Sequence, residues 1–222
     1  MITYPRAMPL GGVVSQSFEP RVIGFETPTN GGRLYSITAG ETLWGMSMTL
    51  RDGDEDEVAE WRAFLASLRG SQRTFLAGDL TRPYPKAYAG GFDGLARAGG
   101  GAFDGAATGW ALNADRDVVD LSGQPAGLIL GYGDYVMWRW ATGGVQRRAL
   151  ARAIEPAVAS AGGVLKVSIE PPLSLAVPGT AVADLARPQC VMRLLTDQSQ
   201  IGELDALHSA GGTIVAQQDL RP

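Results

Sequence analysis

Glycine and proline interrupt this chain at short intervals and therefore limit the length of its regular elements. The 222 residues include 30 glycines and 13 prolines, and the segments between them are mostly the length of a strand. Apolar or alternating runs occupy residues 44–50, 128–140 and 164–173. Because several short strands separated by turn residues are typical of sandwiches and barrels, we predict a mainly β protein.

The clearest strand pattern lies between residues 44 and 50. Trp44, Met46, Met48 and Leu50 alternate with glycine or polar residues, so one face of this strand is predicted to be buried and the other wet. Turn signals occur at Asn30-Gly31 and at Gly143-Gly144. Further strands are predicted at 145–155, 190–195 and 213–218, and an edge strand or a bend is predicted at Pro20.

One segment carries a helical pattern, and we predict a helix over residues 55–69. Val58, Trp61, Leu65 and Leu68 fall on one face, with Phe64 beside them. The acidic stretch 52–57 precedes the helix, where Asp54 is the predicted N-cap, and Gly70 follows it. A helix of this length is marginal alone in water, so we expect it to cover an open β-sheet or barrel.

Composition limits the partners of the chain. A formal net charge of −4 argues against nucleic acid as the main partner, because phosphate binding needs a basic surface. No run of about 18 apolar residues predicts a membrane span, and residues 1–12 do not resemble a secretory signal. Cys190 is the single cysteine, which excludes an intrachain disulfide, and its apolar surroundings predict a buried thiol.

Catalytic patterns are weak, and we predict no catalytic residue, no metal site and no cofactor. His208 is the single histidine and has no nucleophile motif near it. The glycine-rich segment 88–109 matches neither the P-loop pattern nor GxGxxG. A carboxylate pair for hydrolysis cannot be judged by counting, so a cell-wall hydrolase using Asp93 or Asp104 stays a minor hypothesis.

The sequence suggests three regions. Residues 1–86 are predicted to form a β-sandwich or barrel domain with helix 55–69, residues 87–119 a glycine-rich flexible segment, and residues 120–222 a second small β domain. Aromatic residues in strands and in the glycine-rich segment are candidates for contacts with other molecules. The interface candidates are Trp138, Trp140, Phe92, Phe103 and Tyr132.

Five motifs occur along the chain in an order that resembles a known family. They are WRAFLASLRG (61–70), TFLAGDLTRPYP (74–85), YGDYVMWRW (132–140), VSIEPPL (167–173) and ARPQCVMRLL (186–195). This order resembles that of distal tail or minor tail-tip proteins of long-tailed, siphovirus-like bacteriophages and prophages. The resemblance covers about residues 10–196, while the segment 88–109 and residues 197–222 depart from it.

The resemblance implies a fold, partners and a location. The fold would be a tail-tube-like β-barrel or sandwich domain with one covering helix and a second small β domain. The chain would form a ring with itself, a hexamer by expectation, and contact the tail tube protein, the tail hub and tip proteins and the tape measure protein. DNA would only pass through the lumen, and no membrane would be involved. The protein would lie in the virion tail after assembly in the host bacterial cytoplasm.

A second hypothesis for the same residues is a carbohydrate-binding module that recognises host surface glycans. Sandwich folds often carry such sites, and exposed aromatic rings can stack on sugar rings. Phe92, Phe103 and Tyr132 are the candidate stacking residues for this alternative.

Overall fold

The structure is a computed structural model that describes residues 3–28, 31–52, 55–201 and 211–221. This part of the chain is mainly β, with one α-helix, α1 (Glu55–Leu68), and a short 3-10 helix at Lys86–Tyr88. The strands in chain order are β1 (Arg6–Ala7), β2 (Val13–Arg21), β3 (Gly24–Pro28), β4 (Leu34–Thr38), β5 (Leu43–Leu50), β6 (Phe75–Ala77), β7 (Gly109–Leu112), β8 (Val118–Ser122), β9 (Ile129–Leu130), β10 (Tyr135–Thr142), β11 (Val145–Ala153), β12 (Ala157–Val158), β13 (Leu165–Glu170), β14 (Val182–Asp184), β15 (Cys190–Leu194), β16 (Gln200–Ile201) and β17 (Gly212–Gln218). The predicted mainly β fold with one covering helix is confirmed.

The first sheet has the strand order β1-β6-β15-β17-β5-β2, and β16 also pairs with β17. The β1–β6 pair is parallel, and the other pairs are antiparallel. In β5, Trp44, Met46, Met48 and Leu50 are all buried, as the alternation predicted. Pro20 lies in β2 at the sheet edge, where its missing N–H removes no ladder hydrogen bond from a neighbouring strand.

Helix α1 packs on the first sheet. Its buried side chains are Val58, Trp61, Phe64 and Leu68, and the Phe64 ring meets the ring of Phe75 in β6 edge to face at 5.5 Å. The helix ends one residue before the predicted limit. The predicted cap Asp54 lies outside the described residues. As expected, an amphipathic helix covers one face of a sheet.

The second sheet has the order β14-β10-β11-β13-β8-β7. Strands β10 and β11 form a regular hairpin whose turn contains Gly143 and Gly144, with φ of 57° and 78°. Two consecutive positive φ angles match the turn type that suits the twist of a hairpin. The strand predicted at 145–155 is therefore present as β11.

The β10–β11 hairpin contributes side chains to two hydrophobic cores. Trp138 and Val136 point into the core of the second sheet, whereas Tyr135, Met137 and Leu150 belong to the core of the first sheet and α1. Because successive side chains of a strand point to opposite faces, this hairpin forms a middle layer between the two cores. The two sheets are thus joined through apolar contacts.

The predicted regions do not follow the sheets and need correction. Strands β15 and β17, which belong to the predicted second domain 120–222, lie between β6 and β5 in the first sheet. The physical reason is non-local pairing: β5 and β6 are joined in the sheet only through strands from the C-terminal part of the chain. The segment 87–119 also contains β7, which pairs with β8.

Among the described residues, no helix is both long and apolar enough to cross a membrane.

Two ionisable groups lie deep between the layers. Burial raises the pKa of the Cys190 thiol, which is fully buried. Burial, together with the neighbouring Asp79, raises the pKa of the Tyr135 hydroxyl, which donates a hydrogen bond of 3.0 Å to an Asp79 carboxylate oxygen. Both groups are therefore held in their neutral forms in the folded protein.

We expect the protein to lose stability as pH rises above about 9, where an unfolded thiol ionises. Because both folded pKa values are raised, the stabilisation is complete below the unfolded pKa values and is lost as pH rises towards the folded ones. Cys190 alone contributes a loss of about 1.4 kcal/mol for each pH unit above its unfolded pKa. Denaturant unfolding between pH 7 and 11 measures this loss, and Tyr135→Phe should make the decline above pH 10 less steep. A free energy of unfolding that stays constant to pH 11 would contradict the prediction.

Candidate interaction surface

Strands β3 and β4 form a two-stranded ribbon that continues the β2–β5 pair away from the first sheet. We call residues 22–28 and 31–39 the ribbon. Every residue of β3 and β4 is exposed. The pairing extends one step beyond the strands, because the Ala39 amide donates to the Ile23 carbonyl oxygen at 2.7 Å. The ribbon therefore stands in solvent, with no described residue covering either of its faces.

The two faces of the ribbon differ in polarity. Phe25 lies opposite Ile37 and Thr27 opposite Tyr35, so these four side chains share one face with Ile23. We call this the apolar face. Its large members are strongly exposed: Phe25 73%, Ile37 65%, Tyr35 64% and Ile23 47%. The opposite face carries Gly24, Glu26, Ser36 and Thr38 along the same strands, together with the pair of Pro28 and Leu34 next to the turn. Leu34 is itself 61% exposed.

A ribbon of this kind lacks a core of its own. An isolated two-stranded hairpin is marginally stable in water. Four large residues of the apolar face are each about half to three quarters exposed, and they form a contiguous patch. Such a surface is typical of a binding site.

The sequence carried a signal for this surface, although the predicted interface candidates omit it. The turn predicted at Asn30-Gly31 falls in sequence between β3 and β4, but Asn30 lies outside the described residues, so it stays a prediction. Alternation in GFETP and LYSIT places Phe25, Tyr35 and Ile37 on one face. In a sequence, however, this alternation is the same as that of a strand packed on a core.

A second surface feature lies beside the first sheet. It is an open cleft of about 520 Å³ beside β1 and β6, which we call the β1 cleft. Its lining is mixed, because the apolar residues Met8, Leu10, Leu80, Pro83 and Pro188 stand beside Asp79, Arg187 and Gln189. Leu10 is 66% exposed. Gln16 of β2 donates to the Gly78 carbonyl oxygen and accepts from the Leu80 amide, both at 2.9 Å, so the cleft lies next to β2.

Four of the five predicted interface candidates are buried and do not form a surface. Trp138 and Trp140 lie in the core of the second sheet because both point to its inner face. Phe92 and Phe103 lie in the same core, with their ring centroids 4.9 Å apart. The glycine-rich segment thus packs these rings inward instead of presenting them. Tyr132 is 68% exposed and alone of the three proposed sugar-stacking residues lies on the surface.

The loop that carries Tyr132 is held by a buried carboxylate. The Asp134 side chain is fully buried and accepts hydrogen bonds from the backbone amides of Gly131 at 2.7 Å and Lys86 at 2.9 Å. Arg82 lies 3.4 Å from the same carboxylate and also donates to the Tyr132 carbonyl oxygen at 2.8 Å. Asp134 therefore acts as a structural anchor between two loops.

The two carboxylates considered for hydrolysis have different surroundings. Asp104 pairs with Arg97 at 2.7 Å and accepts from the Ala106 amide, whereas Asp93 is exposed. His208 lies outside the described residues. Within the described ranges, no group of three or more His, Cys, Asp or Glu side chains could hold a metal ion.

No protein-family model matches this sequence, and no curated protein matches it significantly. The choice of a function therefore depends on the surfaces described above and on the order of the sequence motifs.

Proposed function

We propose that the protein is a structural component of a phage tail tip that forms a ring connecting the tail tube to the distal hub and adsorption apparatus. The observation that carries this proposal is the exposed apolar face of the ribbon. A ring subunit needs apolar surface that is exposed in the single chain and covered in the assembly. The order of the five sequence motifs supports the same role.

Charged side chains near the sheets link one element of the chain to another. This arrangement is consistent with a structural role. Arg152 pairs with Glu19 at 2.7 Å and thereby joins β11 to β2. Arg148 donates to Gln189 at 2.8 Å. Such pairs fix the relative position of strands and leave apolar surface to supply the energy of association.

The overall charge is consistent with the proposed location. A formal net charge of −4 gives a ring subunit that repels DNA on average, so DNA would pass a lumen without adhering. The proposed partners are further copies of the chain, the tail tube protein, the hub and tip proteins and the tape measure protein. The proposed location is the virion tail, after assembly in the bacterial cytoplasm.

The proposal is tested on particles produced by a phage or prophage that encodes this chain. We expect mass spectrometry to detect the protein in purified virions and gold-labelled antibody to place it at the end of the tail. Deleting its coding sequence should give particles that lack the terminal structure. Complete virions without the protein, or turnover of peptidoglycan by the isolated chain, would contradict the proposal.

A further inference from the structure

We propose that Arg139 and Arg148 together bind a carboxylate group carried by an acidic segment of a partner protein. The two residues lie directly opposite each other in the β10–β11 hairpin, so their side chains share one face with Cβ atoms about 4.5–5.5 Å apart. Like charges in such a pair destabilise a sheet unless a counter-charge is present. The inference depends on this hairpin alone and not on the proposed function.

The counter-charge inside the protein is incomplete. Among the described residues, one carboxylate pairs with the two guanidinium groups. Arg139 donates through Nε to Asp184 at 3.2 Å, and the other oxygen of Asp184 accepts from a backbone amide. Arg148 donates through Nη1 to Gln189 Oε1 at 2.8 Å, and the Met137 sulfur lies 3.7 Å from the same nitrogen. The two arginines and Asp184 therefore sum to one positive charge.

Several donors of the pair remain available to another molecule. In the part of the chain that the structure describes, neither Nη atom of Arg139 nor the Nη2 atom of Arg148 donates to a protein group. The Arg139 side chain is 47% exposed. Ala141 and Gln146, the next pair on this face towards the turn, are also exposed. A carboxylate can therefore reach these donors from solvent.

The surroundings of Arg148 disfavour its charge. Its Nε atom is buried and has no acceptor within the described ranges. Burial, and after it the charge of Arg139, lowers the pKa of Arg148. A carboxylate bound between the two guanidinium groups would offset this cost, because hydrogen bonds between charged partners are about twice as strong as those between neutral ones.

The charge balance and the openness of the site indicate the kind of ligand. One excess positive charge matches a singly charged carboxylate, whereas a phosphate group with about −1.5 to −2 charges would be repelled more strongly by Asp184. A small-molecule site usually buries about 70–90% of its ligand. The open face of a hairpin does not do this, so it suits an Asp or Glu side chain on a partner protein.

Nuclear magnetic resonance of the full-length protein, with isotope-labelled arginines, tests the site through the Nε–H signals of Arg139 and Arg148. The probe is the terminally blocked peptide Gly-Glu-Gly, and Gly-Gln-Gly is the uncharged comparison, both at constant ionic strength. We expect saturable shifts of both signals with the glutamate peptide and a Kd of about 1–10 mM. The glutamine peptide should give shifts about tenfold smaller, because it offers no charged acceptor.

Three variants connect the shifts to the arginine pair. Arg148→Gln should weaken binding about tenfold, as read from the Arg139 signal. Arg148→Lys keeps the charge but loses the planar fork, so it should weaken binding about threefold, and it provides the test if the glutamine variant does not fold. Lys166→Gln is the matched control, because it makes the same charge change at an exposed position of β13 and should bind as the parent protein does.

Four results would overturn the inference. Equal shifts with both peptides, or no shift up to about 50 mM peptide, would mean that no carboxylate site exists. An equal loss in Lys166→Gln and Arg148→Gln would mean that only the overall charge matters. Tighter binding of inorganic phosphate or acetate than of the glutamate peptide would assign the site to a free small anion. None of these results bears on the tail-tip role, which has its own test on virions.

Discussion

Replacing Trp44 with alanine is expected to lower the free energy of unfolding by about 3–5 kcal/mol. Trp44 is fully buried and stacks on Phe18 with ring centroids 5.0 Å apart. Its indole nitrogen donates to the Leu150 carbonyl oxygen in the second sheet at 2.6 Å, and Tyr135 packs against its ring. The substitution therefore opens a cavity where the two sheets meet. It also removes the hydrogen bond between Trp44 and Leu150 that joins the sheets.

Urea unfolding followed by circular dichroism measures this loss. Trp44→Phe should cost less than the alanine variant, because it keeps an aromatic ring against Phe18 but loses the indole donor. Val14→Ala is the surface control, since Val14 is 64% exposed, and it should change stability by less than about 0.5 kcal/mol. A loss below about 1 kcal/mol for Trp44→Ala would mean that the sheets are not joined as described.

Replacing Asp134 with alanine is expected to lower the free energy of unfolding by about 1–3 kcal/mol. The carboxylate is fully buried, so its removal leaves the amides of Gly131 and Lys86 without the acceptor that they use in the folded protein. It also removes the carboxylate 3.4 Å from Arg82, whose side chain is 32% exposed. Because Lys86 is exposed and Gly131 is partly buried, water satisfies part of what is lost, and the expected cost stays at about 1–3 kcal/mol.

Denaturant unfolding gives the size of this loss, and hydrogen exchange shows where it occurs. The amides of Gly131 and Lys86 should exchange much faster in Asp134→Ala, while amides of β5 should change only through the global loss of stability. Asp134→Asn should have a smaller effect, because the amide side chain keeps one acceptor oxygen. Asp93→Ala, at an exposed position, is the control. Unchanged exchange at Gly131 would show that Asp134 does not hold this loop.

Local patterns in the sequence were sufficient to predict the strands and the helix, but they did not predict how these elements are arranged. The alternation from Trp44 to Leu50 and the helical face of Val58, Trp61 and Leu68 depend on neighbouring residues, and both were predicted. The place of β15 and β17 between β6 and β5 depends on pairs of residues more than a hundred positions apart. No local pattern contains that pairing, so the predicted boundary at residue 120 does not match the first sheet.

The candidate surface was harder to predict because alternation does not reveal what covers a face. In β5 the alternating residues are buried under other strands and a helix, whereas in the ribbon Phe25 and Ile37 alternate in the same way and remain exposed. Glycine-rich sequence around Phe92 and Phe103 suggested flexibility, yet distant strands supply the core that buries both rings. In each case, long-range packing decides exposure.

A cryo-electron microscopy reconstruction of the tail end of a particle that encodes this chain tests the central claim most directly. The proposed role predicts a closed ring of copies between the tube and the hub, with the apolar face of each ribbon covered by a neighbouring protein. A tail end without this protein, or one in which its copies do not touch each other, would contradict the claim.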